Sequence, residues 1–409
     1  MSFMTKPNNE VSLLPQVDKA CGLDMHKDKI ACYISDKEGK DVHQLEFRTF
    51  TEDLFRVRDT LLAHKVGHCL MESTGIYWIS LYGILTEAGI EVVVANPQHI
   101  KQIPKRKTDR KDAKWLCTLM LYGLARHSFV PGPVQQALRE LCRNRLFYKQ
   151  GQSRIKNRVV KILEKNNLKI RSVVSSISTK TAMALVRQLA IGNTDIEQLL
   201  KCCHKGLKAS EEQMRQALRG TLRIADQHIL QMLLADIDHY QRQIDLLEEK
   251  IGRMTKDHYS EVAGCLLTIT GIGEQSAQVI LSEIGDNMKY FPTADHLTAW
   301  SGLAPGNNES AGKRKNTQLK KGNKYLRIAM ITVAWAAVRT KDSYWKALFD
   351  QLRKRMKPQK AIVAIARRLM KVVHRTIRNR EQYQEKGIMH YLQLQQQRIS
   401  AHRTNIATA

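Results

Sequence analysis

The sequence predicts a mixed α/β domain over its first third, followed by a longer and mainly helical region. Three observations carry that prediction. Short β-rich stretches alternate with amphipathic helical ones up to about residue 130. Beyond Pro131-Gly-Pro133 the apolar residues recur in steps of three and four. The third is chemical: acidic residues stand at strand ends and at a helix start, in a chain whose formal charge is +27.

The elements follow in order. Residues 1–15 are polar and predicted to be loose. Residues 20–25 read as a first strand with Asp24 at its end, 30–35 as a second, and 42–50, which alternate apolar and polar, as a third. Gly39 lies in the turn between the last two. Thr51 can cap a helix over 51–65: Glu52 and Asp53 suit its first turn, and Leu54, Val57, Leu61 and Leu62 share a face. Residues 68–73 form a short buried strand ending around Glu72. A helix over 77–88 is closed by Gly89. The β-branched run 90–95 has the composition of a central parallel strand, and Pro97 ends it. The basic stretch KRKTDRKDAK (105–114) then leads into a helix over 113–125. If Thr108 caps a helix start there, Asp109 and Asp112 fall at i and i+3 and share a face.

The order β-β-β-α-β-α-β-α is that of an RNase H-like domain, here spanning 16–130. Placing the acids on that order is more telling than the order itself. Asp24 ends the first strand, Glu72 the fourth, and Asp109 and Asp112 belong to the last helix. In that fold these places converge at one sheet edge, where carboxylates hold one or two Mg²⁺ ions about 4 Å apart. The competing reading of the helix start is a solvated turn whose aspartates suit the helix dipole. Four acids at the four expected places weigh against it. Asp28 and Asp36 read as turn or surface residues.

Lysine and arginine number 66 against 39 acidic residues, which points to a polyanion partner, nucleic acid ahead of a membrane surface. No apolar run approaches the ~20 residues of a spanning helix, and there is no signal-peptide core. A cytoplasmic, nucleoid-associated protein is the expectation. The eight cysteines show no C-x-x-C spacing and read as reduced core residues. Cys202-Cys203-His204 lacks a second half-site at zinc-finger spacing and reads as structural.

Residues 131–260 predict long helices. Val134, Leu138, Leu141, Tyr148, Ile155, Val159 and Ile162 form one apolar seam, with Arg145 and Gln152 at its skipped positions. Residues 166–210 read as short helices and polar turns. Leu230, Leu233, Ile237, Tyr240, Ile244, Leu247 and Ile251 form a heptad seam, either an antiparallel pair within the chain or a dimer coiled coil. A homo-oligomer, dimer or tetramer, is expected.

Residues 261–342 predict a further domain. The run 266–281 reads as a helix-hairpin-helix whose Gly271 and Gly273 present backbone N–H groups to a phosphate, or as a ligand-free turn. The loop GNNESAGK (306–313) is not a Walker A loop, since five residues separate its glycines where four are needed and Arg314 replaces Ser or Thr. Lys313, Arg314, Lys315, Lys320, Lys321, Lys324 and Arg327 crowd the stretch that follows. Hydroxyl, loop and cations suit a nucleophile facing a phosphodiester; Ser310 is that candidate, against the plainer reading of a loop serine. Residues 343–409 predict a basic helical tail.

Two blocks resemble a known family. GLDMHKD (22–28), MESTG (71–75), NPQ (96–98) and KTDRKDA (107–113) resemble the N-terminal domain of the DEDD transposases, recombinases encoded by bacterial insertion sequences. Residues 264–338 resemble their second domain, with Gly-Ile-Gly, Phe291-Pro292, GLAP (302–305), the serine loop and KGNKYLR (321–327). The resemblance implies a recombinase that uses Mg²⁺ (or Mn²⁺) held by Asp24, Glu72, Asp109 and Asp112. It implies that Ser310 attacks DNA to form a covalent phosphoserine link, in a site built from two domains, and that a structured guide RNA from the element selects the DNA. Ala311 intervenes before Gly312 where the family has Ser-Gly directly, which makes Ser301 the competing serine. Lys107, Arg110, Lys111, Gly271, Gly273, Lys313, Arg314 and Lys321 are expected to face nucleic acid. Two other classes stay open: a structure-selective metal nuclease resembling Holliday-junction resolvases, and a non-catalytic nucleic-acid-binding protein.

Overall fold

The computed structural model of the chain describes residues 14–73, 75–95, 109–125, 128–204, 206–305, 308–310, 313–316, 319 and 321–407. The chain divides into two compact units, residues 1–130 and 131–409.

The first unit is built on a five-stranded sheet of order β3-β2-β1-β4-β5. Its strands are β1 (Lys19–Met25), β2 (Ile30–Asp36), β3 (His43–Phe47), β4 (His68–Glu72) and β5 (Glu91–Ala95), with helices α1 (Thr51–Ala63), α2 (Trp78–Glu87) and α3 (Asp109–Leu121). The order of elements is the one the periodicity predicts. β1, β2 and β3 pair antiparallel, whereas β4 runs parallel to β1 and β5 parallel to β4. Alternate side chains leave a strand on opposite faces, so the sheet has two cores. Cys21, Leu23, Met25, Cys69 and Met71 pack with Leu54, Val57 and Leu61 of α1 and with Leu81 and Leu85 of α2. Ala20, Leu70 and Val93 pack on the other face with Leu116, Cys117 and Met120 of α3. Two helix boundaries differ from expectation. Thr51 is the first helical residue, preceded by Phe50 without a side-chain cap, and the exposed Arg48 and Arg56 pair with the buried Asp53 of the first turn. The last helix begins four residues earlier than 113, so that Asp109 and Asp112 both lie on it.

The second unit is helical. Its frame is α4 (Pro133–Lys165) and a 44-residue helix, α9 (Ile224–Leu267). At 1.5 Å per residue they are about 50 and 65 Å long. Lys149 pairs with Glu248, Gln152 donates to Gln241, and Lys165 pairs with Asp226, so the two helices run antiparallel. The heptad seam is therefore satisfied within the chain: Leu230, Leu233, Ile237, Ile244 and Ile251 are buried. The polar residues at the skipped positions earn their burial through specific bonds. Gln152 also donates to the Ile237 carbonyl (3.3 Å), and Arg145 donates to Gln278 (2.6 Å).

Between these helices in the chain lie α5 (Ile170–Val173), α6 (Lys180–Ala190), α7 (Ile196–Lys201) and α8 (Glu211–Ala217), which share one apolar cluster with Ile162, Leu230 and Ile237. The long helix α9 runs through residue 260, where the sequence suggests a boundary, with non-helical backbone at Tyr259. It is followed by α10 (Glu274–Ile284), α11 (Ala294–Trp300), the hairpin strands β6 (Asn308–Ser310) and β7 (Lys313–Asn316), and then α12 (Lys324–Arg339), α13 (Tyr344–Arg353), α14 (Pro358–Asn379) and α15 (Gly387–Ala407). All eight cysteines are free thiols, six of them buried; burial pushes the Cys117 thiol up to about 12. No helix among the described residues is long and apolar enough to cross a membrane.

Candidate metal centre and serine hairpin

The acidic cluster is assembled by strand register and by one glycine. β1 and β4 run side by side, with Leu23 level with Met71. Asp24 and Glu72 come next on each strand, and alternation turns both toward the face that α3 covers. Helix α3 approaches that face at Gly22. A Cβ on Gly22 would lie 2.0 Å from the Ala113 carbonyl oxygen and 2.4 Å from the Cys117 nitrogen, so only glycine admits the helix backbone this close. Cys117 Sγ reaches the Ala20 carbonyl at 3.2 Å and ties the same helix to the same strand. Asp112, immediately before Ala113, is thereby brought to Asp24.

The electrostatics record that convergence. Asp24 is 8% exposed, and its carboxyl is pushed above the usual range, first by burial. His26 works against the shift: its Nε2 lies 3.2 Å from Asp24 Oδ2. Repulsion from Asp112 and Glu72 adds to it. Three carboxylates thus share one place, where a bound cation would relieve both burial and repulsion. The donor set is all oxygen, which fits a hard ion such as Mg²⁺ or Mn²⁺. Asp109 lies one helical turn before Asp112; its side chain and those of Arg110 and Lys111 fall outside the described residues, as do Lys107 and Thr108 altogether.

In the second unit, Ser310 ends β6 and pairs with Lys313 across the hairpin. The side chains of Ser310, Lys313 and Arg314 are outside the described set. Lys321 is exposed beyond the hairpin. The root of the hairpin is tightly built. Asn323 N donates to the Trp300 carbonyl (3.0 Å), and a Cβ on Gly322 would lie 2.3 Å from the Gly302 nitrogen. Asn323 caps α12, accepting from the backbone of Tyr325 and Leu326, while its Nδ2 donates to Glu283 at 2.6 Å. Glu283 is fully buried and receives a bidentate pair from Arg143, both bonds 2.8 Å, with Arg139 Nε at 3.4 Å. One carboxylate therefore joins α4, α10 and the start of α12. Glu283→Gln leaves two arginines without their counter-charge and is expected to cost about 3 kcal/mol. The midpoint of urea unfolding checks this, and Glu283→Asp should recover part of the loss.

Ser301, the competing serine, is 0% exposed, and its hydroxyl donates to the Thr298 carbonyl at 2.9 Å. It is an interior helix-end residue, which leaves Ser310 as the candidate. The two glycines of the 268–273 turn also separate. Gly271 has φ +91, and a Cβ there would lie 2.5 Å from the Val333 carbonyl oxygen, so this glycine serves the packing of the turn on α12. Gly273, at the start of α10, is exposed with open space around it.

Sequence reasoning missed Gly22, His26 and Glu283 as contributors. A glycine inside a strand is a signal of close backbone approach, and a histidine two residues past a strand-end acid is within reach of it. Glu283 sits in an apolar run, and nothing local marks its arginine partners, which are 140 and 144 residues away in sequence.

Residues 21–167 match a family model described as Transposase, the DEDD transposase domain of IS110 elements. Residues 263–350 match one described as Transposase IS116/IS110/IS902 family. The chain is 30% identical over 169 residues to a 43.6 kDa protein of insertion element IS110 from Streptomyces coelicolor, covering 41% of this chain and 40% of that protein. It is 26% identical over 187 residues to a pilin gene-inverting protein of Moraxella bovis, covering 44% of this chain and 58% of that protein. The matched segments thus span between two-fifths and three-fifths of these relatives.

Proposed function

Because the chain belongs to the Transposase IS116/IS110/IS902 family, we propose that it cuts and rejoins DNA at the ends of a mobile element, through a covalent phosphoserine. The observation that carries the reading is the meeting of Asp24, Glu72 and Asp112 beside the end of β1, with Asp109 on the same helix as Asp112. Sheet order and the placement of these acids support an RNase H-like reading of the first unit.

In this mechanism the four carboxylates would hold Mg²⁺ or Mn²⁺, which when bound would supply charge neutralisation at the scissile phosphate. Ser310 Oγ attacks phosphorus: the P–Oγ bond forms, the P–O bond to the departing nucleoside breaks, the serine gives up its proton and the departing oxygen gains one. Attack by a DNA hydroxyl on the phosphoserine reverses these changes and rejoins a strand without an outside energy source. Lys313, opposite Ser310 in the hairpin, and the basic stretch Arg314 to Lys321 favour the approach of the phosphate. The +27 charge suits DNA together with a structured guide RNA from the element. Exchange between two duplexes suits a homo-oligomer, dimer or tetramer.

The test is a denaturing gel of purified protein, RNA transcribed from the element flanks, labelled junction DNA and Mg²⁺. A protein–DNA adduct present in wild type and absent in Ser310→Ala, with DNA retention unchanged, is the expected result. Cleavage without an adduct, equal in both proteins, would replace this reading with a metal-dependent nuclease.

A further inference from the structure

We propose that Asp41, His43 and His64 form a second metal site, one for a nitrogen-seeking divalent transition metal such as Zn²⁺. One donor atom from each of the three side chains lies within 4.8 Å of the others. They come from three differently constrained pieces of backbone. Asp41 ends the β2–β3 turn, which Asp36 holds by accepting from the backbone of Lys40 (2.9 Å) and Asp41 (3.1 Å). His43 opens β3, the edge strand, with Nε2 2.6 Å from Asp41 Oδ1. His64 caps the end of α1, its backbone N–H donating to the Thr60 carbonyl.

The rings of His43 and His64 lie 4.0 Å apart, centroid to centroid, at 43°. His43 is already engaged with Asp41. Among the described residues His64 makes that ring contact and no side-chain hydrogen bond, so a second imidazole stands beside a carboxylate–imidazole pair with a nitrogen to spare. A cation replacing the proton between His43 and Asp41 would gain all three donors. The side chains are partly exposed, which leaves an entry path and room for water ligands.

Two nitrogens and one oxygen select Zn²⁺, Co²⁺, Ni²⁺ or Cu²⁺ over Mg²⁺ and Ca²⁺, which want oxygen throughout. The site is separate from the acidic cluster. Lys19, which pairs with Asp41, begins β1, and Asp24 lies five residues further along it, about 17 Å away at strand spacing. The ion would staple the edge strand to the end of α1. Lys19 is the opposing charge: its ammonium occupies Asp41 Oδ2 and lowers the affinity for a cation at Oδ1.

The experiment titrates chelator-treated full-length protein with Zn²⁺ and, separately, Co²⁺, with excess Mg²⁺ present to fill the all-oxygen cluster. Expected are a rise in Tm and a visible Co²⁺ absorption band in wild type and in Asp112→Asn. Both should be lost in His64→Ala and weakened in His43→Ala, and Lys19→Met should tighten binding roughly tenfold. Wild type without a metal response up to about millimolar metal would overturn the proposal. So would a response that His64→Ala leaves unchanged, or one that Asp112→Asn removes.

Discussion

Asp24→Asn is expected to cut the proposed strand cleavage sharply while making the folded chain more stable. The carboxyl of Asp24 is raised, chiefly by burial and further by Asp112 and Glu72, with His26 offsetting part of the shift. Between the ordinary carboxylate pKa and this raised one, the folded chain holds a proton that the unfolded chain has lost. Stability therefore falls as pH climbs through that window and stays lower above it. Asparagine keeps the shape and removes the charge, so it removes the penalty. The same charge is what a bound ion needs, so cleavage should drop by roughly a hundredfold to a thousandfold or more. Melting curves check the first half. The variant should melt above wild type at pH 7 without divalent ion, and the gap should close toward pH ~4, where the ordinary carboxylate is half protonated. Added Mg²⁺ should raise the Tm of wild type and not of the variant. A variant that melts below wild type at neutral pH would mean that the Asp24–His26 bond outweighs the burial of the charge.

Gly22→Val should be among the most damaging single changes in the first unit. The atoms its Cβ would strike, the Ala113 oxygen at 2.0 Å and the Cys117 nitrogen at 2.4 Å, belong to helix backbone and cannot rotate aside. Helix α3 must retreat from β1, and the packing of Leu116, Cys117 and Met120 on Ala20 and Leu70 loosens with it. A cost of about 3 kcal/mol or more is expected, read from the urea midpoint of the full chain. Gly22→Ala is the more informative partner. Its Cβ meets the same two backbone atoms, so the helix must still retreat, though without the further methyls of valine to clear, and Asp112 moves away from Asp24. Metal-dependent cleavage should then fall further than stability does. Equal and small losses in both would show that the helix can shift without disturbing the acids.

The order of the elements was legible in the chain. Period-two runs such as residues 42–50, the β-branched run before Pro97 and the three-and-four spacing of Leu54, Val57 and Leu61 follow from local rules that no distant residue alters. Asp24 and Glu72 could be placed at strand ends on the same grounds. The seam from Leu230 to Ile251 was legible as a seam but not as to its partner, because a heptad states which face is apolar and not what covers it. Its partner is α4 of the same chain, as the pairing of Gln152 with Gln241 makes plain.

What the sequence determined by itself is therefore the set of local conformations, the two apolar seams, the excess of positive charge and the carboxylates available for a hard ion. Tertiary structure alone decided which of these groups meet. It put Asp112 beside Asp24 by letting a helix rest on Gly22, turned Ser301 inward onto Thr298, and joined Glu283 to Arg143 and Asn323. The physical reason is that spacing along a helix or strand constrains only near neighbours. Packing against backbone, and the requirement that a buried charge find its partner, act between residues as distant in the chain as Gly22 and Ala113 or Arg143 and Glu283.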